Sequence, residues 1–141
     1  MAIGQKHIYL FSGPQRNLDA VELADIIGCA LDPIDVLRGP QHDLMDQHIW
    51  QSLVPRLKSD EYDGGLMSPP CSTYSVARSR PGGPPPLRGE KAPEIYGFKN
   101  LRPADKEKVR VGTLLAVRAA EAADYFDVRN APWLVETPKL R

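Results

Sequence analysis

The residues of this chain best suited to covalent chemistry are gathered in one turn, Ser68-Pro69-Pro70-Cys71-Ser72-Thr73-Tyr74-Ser75. It sets a thiol directly after an apolar run, residues 62–67, that reads as a buried strand. Two prolines fix φ and remove two N–H donors, so the strand must stop there and the backbone around the thiol is stiff. A rigid thiol at the carboxyl end of a strand suits a nucleophile. The competing assignment for a free cysteine is a small buried hydrophobe, and that is the reading for Cys29, which begins a strand. A carboxylate, Glu136, ends the apolar segment 132–138. A thiol and a carboxylate on neighbouring strands suit covalent catalysis with proton transfer.

Such a pair needs a sheet to hold it. Residues 7–12 (HIYLFS) read as the first strand, broken by Gly13-Pro14. Asn17 is placed to cap a helix running to Ile27, with Leu18, Val21, Ala24 and Ile27 at helical spacing and Gly28 as its stop. Residues 29–36 read as a second strand, which Pro33 assigns to a sheet edge or to an irregular strand. A helix follows from Met45 or Asp46 to Leu57, with Ile49, Leu53 and Leu57 on one face and Pro55 near its end. The strand at 62–68 leads into the cysteine turn. Residues 105–126 form an alanine-rich, acid-capped helix with Val111, Leu114, Leu115, Arg118 and Ala122 near helical spacing. Segment 132–138 is the last strand. The order β-α-β-α-β-loop-α-β predicts an α/β, Rossmann-like three-layer domain over residues 1–141 with a mostly parallel sheet.

In a parallel sheet all the carboxyl ends lie on one edge, and here that edge collects Ser12-Gly13, Asp35, Asp43-Leu44, Pro70-Cys71 and Glu136. Gly13 allows close backbone approach to a ligand. An acid closing strand two suits ribose hydroxyls. Asp32 competes with Asp35 for that place, and the spacing to Asp43 favours Asp35. Asp43 suits an exocyclic amine, or equally the cap of the helix after it. Trp50 and Trp133 read as packing residues, and His42 and His48 as surface residues.

The segment 75–104 is of another kind. It holds six prolines, at 81, 84, 85, 86, 93 and 103, and shows no hydrophobic period. Arg78, Arg80, Arg88, Lys91, Lys99 and Arg102 against Glu90 and Glu94 give it a local charge of +6 − 2 = +4. Long irregular segments in compact domains serve function or stay mobile. Positive charge beside a candidate nucleophile points to an anionic substrate.

The whole chain adds limits. It has 141 residues, enough for one domain with a core. Its 18 basic and 18 acidic residues cancel, so overall charge announces no nucleic-acid partner. No apolar run is long enough to span a membrane and no leader pattern opens the chain, which reads as soluble and cytoplasmic. Two cysteines and three histidines carry no metal signature.

These residues carry a resemblance to the DNA (cytosine-5) methyltransferases, in their cofactor-binding and catalytic part, and more closely to short phage- and metagenome-type relatives with a Pro-Pro-Cys turn followed by an Arg/Pro/Gly-rich loop. Tyr9-Leu10-Phe11-Ser12-Gly13 resembles the first cofactor motif. Asp35 resembles the acid after strand two, Asp43-Leu44 the pair that contacts adenine, Pro69-Pro70-Cys71 the nucleophile motif, and Val135-Glu136-Thr137-Pro138 the motif whose Glu holds the target base. The resemblance implies an enzyme that transfers a methyl group from S-adenosylmethionine to cytosine C5 through a Cys71 adduct. Phe11, Ser12, Gly13, Asp35, Asp43, Leu44 and Pro69 would meet the cofactor, and Glu136 the flipped base. Arg78, Arg80 and Arg88 would meet the phosphates of double-stranded DNA.

The chain departs from that pattern in having few glycines at the first motif, Thr137 where Asn is usual, and no counterpart of the later motifs. Two alternatives follow: a catalytically inactive nucleic-acid-binding module, or a fragment or subunit of a split methyltransferase that works with a partner chain or a second copy.

Overall fold

The computed structural model describes residues 1–137. Among them four strands and three α-helices alternate: β1 (Lys6–Leu10), α1 (Ala20–Ile26), β2 (Ala30–Ile34), α2 (Gln47–Lys58), β3 (Gly64–Met67), α3 (Pro103–Val128) and β4 (Trp133–Val135). Every strand pair is parallel, in the order β2-β1-β3-β4. The expected α/β alternation and parallel sheet are therefore present, in an arrangement compatible with a Rossmann-like fold. The chain steps from β1 outward to β2 and then back past β1 to β3. The carboxyl ends of β1 and β3 thus flank the reversal point, where open α/β sheets form a crevice.

Side chains alternate across each strand. One face sends Ile8, Leu10, Ile34 and Met67 against Trp50, Leu53 and Leu57 of α2 and Leu115, Ala119, Ala122 and Phe126 of α3. The other face carries α1, where Ala24, Cys29 and Leu31 are buried and Tyr9, Val21 and Leu66 pack beside them. Cys29 is the packing residue expected. Gly65 lets α3 lie close to the sheet, because a Cβ there would stand 2.3 Å from Cε2 of Phe126.

Several boundaries differ from expectation for local reasons. Asp19, not Asn17, caps α1, its Oδ1 accepting from the amides of Val21 and Glu22. Leu18 lies outside the helix with φ 53°, so the predicted apolar stripe loses its first member. The stop at Gly28 is as read: its φ is 79°, and the Gly28 and Cys29 amides donate back to Asp25 and Ala24, the Schellman pattern. Pro33 sits in an edge strand paired, among the described residues, to β1 alone. Asp46 caps α2, which runs three residues past Pro55. Strand β4 spans 133–135 within the 132–138 expected, and Pro138 lies outside the described residues.

Candidate functional site

The carboxyl ends of β1, β2 and β3 enclose a cleft of about 340 Å³ lined by Phe11, Asp35, Leu37, His42, Asp43, Leu44, Pro70, Val111 and Leu115, among others. Its base is apolar and its rim acidic. Phe11 leaves β1 in the left-handed region, φ 60°, while its amide still donates to the Ile34 carbonyl at 2.8 Å. Asp35 braces the rim: Oδ2 accepts from the Gly13 amide and Oδ1 from the Leu37 amide, each at 2.8 Å. Asp43 Oδ1 accepts from the Met45 amide at 2.9 Å, so this acid both lines the cleft and closes its own turn, while the helix cap falls to Asp46.

Asp35 lines this cleft together with Asp43, and Asp32 lies elsewhere. Asp32 accepts from the Tyr62 hydroxyl and from Arg56, and Arg56 is clamped in turn by Glu61. Burial and the Asp32 carboxylate push Tyr62 well above its ordinary pKa. That network braces β2 against α2.

Three sequence assignments move. Ser12 and Gly13 line a depression on the α1 side, with Tyr9, Arg16 and Asp19, and not the acidic cleft. Both backbone polar groups of Gly13 have partners, the amide with Asp35 and the carbonyl with Nε of Arg38 at 2.9 Å. The φ of 73° favours glycine there, while open space surrounds its Cβ position. Pro70 lines the cleft; Pro69 does not. His42 is half-buried at the cleft, and its Nδ1 is buried without a hydrogen-bond partner among the described residues.

Cys71 is exposed. Its carbonyl accepts from the amides of Tyr74 and Ser75 at 2.9 and 3.0 Å, which closes the turn behind the thiol. The next residues dock on α3: Thr73 is buried, and a Cβ on Gly112 would stand 2.8 Å from its Oγ1. On the neighbouring strand end the Glu136 amide donates to the Met67 carbonyl at 2.8 Å, and its Oε2 accepts from Ser68 Oγ at 2.9 Å. Ser68 Oγ also lies 3.1 Å from the Tyr9 hydroxyl. With the serine proton on the carboxylate, Tyr9 donates to Ser68. Tyr9 belongs to the α1 side, so this chain holds Glu136 on that side of the edge, whereas the cleft opens toward α3. The edge carries Cys71 and Glu136 on adjacent strand ends, with no hydrogen bond between them.

The arginines of the 75–104 segment divide. Arg78 donates to the Ser72 carbonyl at 2.6 Å and the Pro85 carbonyl at 3.0 Å. Arg88 is directed inward: it donates to Thr73, Ile95, Val109 and Thr113 and lies 3.9 Å from the Tyr74 ring centre. Burial lowers its pKa from the ordinary arginine value. Both make internal ties to the chain itself, where phosphate contacts were expected. Arg80 is exposed and has no side-chain hydrogen bond or ion pair with the described residues.

Sequence reasoning also missed Arg118 as a site residue. It is 4% exposed, donates to the Leu44 carbonyl and to Gln47 Oε1, and sits over the Trp50 ring. It thereby fixes the Asp43-Leu44 turn from α3. A cation inside the apolar stripe Val111-Leu115-Arg118-Ala122 was the signal for it. Among the described residues no group of three His, Cys, Asp or Glu side chains could hold a metal ion, and no helix is long and apolar enough to cross a membrane.

Comparison of the chain with protein-family models, with curated proteins and with solved structures finds no match.

Proposed function

We propose that this protein is a cytosine-C5-methyltransferase-like enzyme that uses S-adenosylmethionine and acts on DNA. One observation carries the reading: Phe11, Asp35, Asp43 and Leu44, from three separate chain segments, line one cleft whose wall includes Pro70, the residue before Cys71. A cleft near 340 Å³ lies within the range of about 300–1,000 Å³ usual for small-molecule sites. Its apolar base suits a purine ring. Its acids suit donors: Asp35, with one lone pair per oxygen beyond its two amide bonds, takes ribose hydroxyls, and Asp43 Oδ2 takes an exocyclic amine.

When bound, S-adenosylmethionine supplies an electrophilic methyl group. The Cys71 thiolate adds to cytosine C6, forming the S–C6 bond and moving an electron pair to C5. That addition would make C5 nucleophilic toward the methyl group the cofactor would supply, S-adenosylhomocysteine being the leaving group. Loss of the C5 proton to a base then expels the thiolate and restores the ring. Glu136, fixed through Oε2 by Ser68, offers Oε1 to the edge of a base flipped from the duplex. Cofactor cleft and glutamate on opposite sides of one strand edge would approach such a ring from two directions.

The test is covalent trapping. A duplex bearing 5-fluorocytosine cannot lose a C5 proton, so with S-adenosylmethionine it should leave a stable adduct on Cys71, identified by peptide mass. Cys71→Ser should leave none. Absence of adduct across varied duplex sequences, with S-adenosylmethionine saturating, would remove the catalytic claim.

A second reading, a subunit completed by a partner chain, is favoured by the edge strand. Among the described residues β4 pairs with β3 alone, and Leu134 on it is 63% exposed. Sedimentation across a concentration series separates the two, because a subunit that pairs through this edge shows larger species as concentration rises.

A further inference from the structure

We infer that Arg88 is the positioning residue of the Cys71 turn, and that through it the proline-rich segment is a fixed wall of the site. On its amino side the turn is stiffened by Pro69 and Pro70. On its carboxyl side nothing covalent restrains it, and the guanidinium of Arg88 takes that part. Nε donates to Thr73 Oγ1 at 3.2 Å, and the same plane lies 3.9 Å from the Tyr74 ring centre, so two residues of the turn are held. One terminal nitrogen donates to the Ile95 carbonyl at 3.0 Å, in the far part of the segment. The other reaches the Val109 carbonyl at 2.9 Å and Thr113 Oγ1 at 3.0 Å on α3. One planar fork thus joins the turn, the segment and the long helix. A lysine cannot reproduce this, because its single ammonium lacks the spread of five fixed donors.

Two further features agree. Gly112 leaves the space in which Thr73 docks on α3, and Leu87, beside Arg88, is 2% exposed, which anchors the segment at the same point. The wall so made bounds a second cavity, about 220 Å³, lined by Tyr74, Ser75, Val76, Ser79, Arg88 and Ile95 among others. The cavity stands beside the thiol turn, two of whose residues, Tyr74 and Ser75, line it. The inference rests on these contacts and holds whatever reaction Cys71 performs.

Amide hydrogen exchange on the full chain tests it. The Tyr74 and Ser75 amides, both donating to the Cys71 carbonyl, report the turn, and the Phe11 and Ser68 amides report the sheet. Arg88→Lys should speed exchange at Tyr74 and Ser75 about tenfold or more by local opening, with the sheet amides unchanged. Thr113→Val, which removes one acceptor, should give a smaller acceleration at the same two amides. Arg80→Lys, at an arginine of the same segment with no side-chain hydrogen bond or ion pair to the described residues, should change neither. Native rates at Tyr74 and Ser75 in Arg88→Lys would overturn the inference, as would uniform acceleration of turn and sheet together. Should Arg88→Lys fail to fold, Thr113→Val decides alone: acceleration confined to the turn supports the inference and native rates overturn it.

Discussion

The two faces of the sheet are built to different depths. Among the described residues the α2/α3 face buries fifteen hydrophobic residues in one continuous core, among them Tyr62, Leu57 and Phe126 at 0% exposure. The α1 face buries a hydrophobic cluster of three, Ala24, Cys29 and Leu31, and α1 itself leaves Leu23 and Ile26 at least half exposed. The cleft with its acidic rim lies on the deep face, where the 26-residue helix α3 and the buried Arg118 fix the backbone around Leu44. The shallow face holds the glycine loop and the Ser68–Glu136 pair. Groups that must hold a ligand in one geometry need a wall that does not move, and only the deep face supplies enough packed area for one.

Substitutions can break or sharpen that contrast. The largest effect is expected from Phe126→Ala on the deep face, a loss of about 3–5 kcal/mol by urea unfolding, against about 2 kcal/mol for Leu31→Ala on the shallow face. Equal losses would remove the distinction. Gly65→Ala comes next. Its new methyl meets the Phe126 ring, and such overpacking costs about 1–3 kcal/mol. The double variant with Phe126→Leu should recover part of that loss.

The charges on each face give a third test. Glu61, hydrogen-bonded by Arg56 on the deep side, is held down from 4.5 to about 2. Asp19, bonded by the Glu22 amide and by Arg38 on the shallow side, is held down from 3.8 to about 2. A carboxyl depressed on folding stabilises above its unfolded pKa and loses that contribution as pH falls toward the folded value. The melting temperature should therefore decline between about pH 4.5 and 2, and Glu61→Gln and Asp19→Asn should each flatten part of that decline. An unchanged acid limb in Glu61→Gln would count against the deep-face clamp. The smallest effect is expected at the exposed edge, where Leu134→Ser should change stability by no more than about 0.5 kcal/mol in the monomer. A larger loss would show that β4 is covered in solution.

Much of the frame was legible from local signals. Alternating strand and helix patterns and the helix stop at Gly28 depend on neighbours in sequence and were readable, and Pro33 pointed to an edge or an irregular strand, of which the edge is found. What escaped depends on partners far along the chain. The cap of α1 passed from Asn17 to Asp19, which Arg38 also binds from 19 residues away. Arg88 looked like a phosphate ligand because its acceptors on α3 lie 21 and 25 residues distant. The side of the edge taken by Glu136 follows from the β3–β4 register and from a hydroxyl at Ser68, neither of which has a signature at residue 136. Asp35 follows β2 and lines the cleft, a position readable in advance because strand ends in a parallel sheet share an edge whatever their side chains do.

The central claim is that the cleft holds S-adenosylmethionine through Asp35 and Asp43. Thermal unfolding of the full chain with increasing S-adenosylhomocysteine tests it most directly, because a ligand bound only by the folded state raises the melting temperature with its concentration. The account predicts such a rise in the wild type and its loss in Asp35→Asn. A melting temperature unmoved at millimolar S-adenosylhomocysteine, or a rise undiminished in Asp35→Asn, would contradict it.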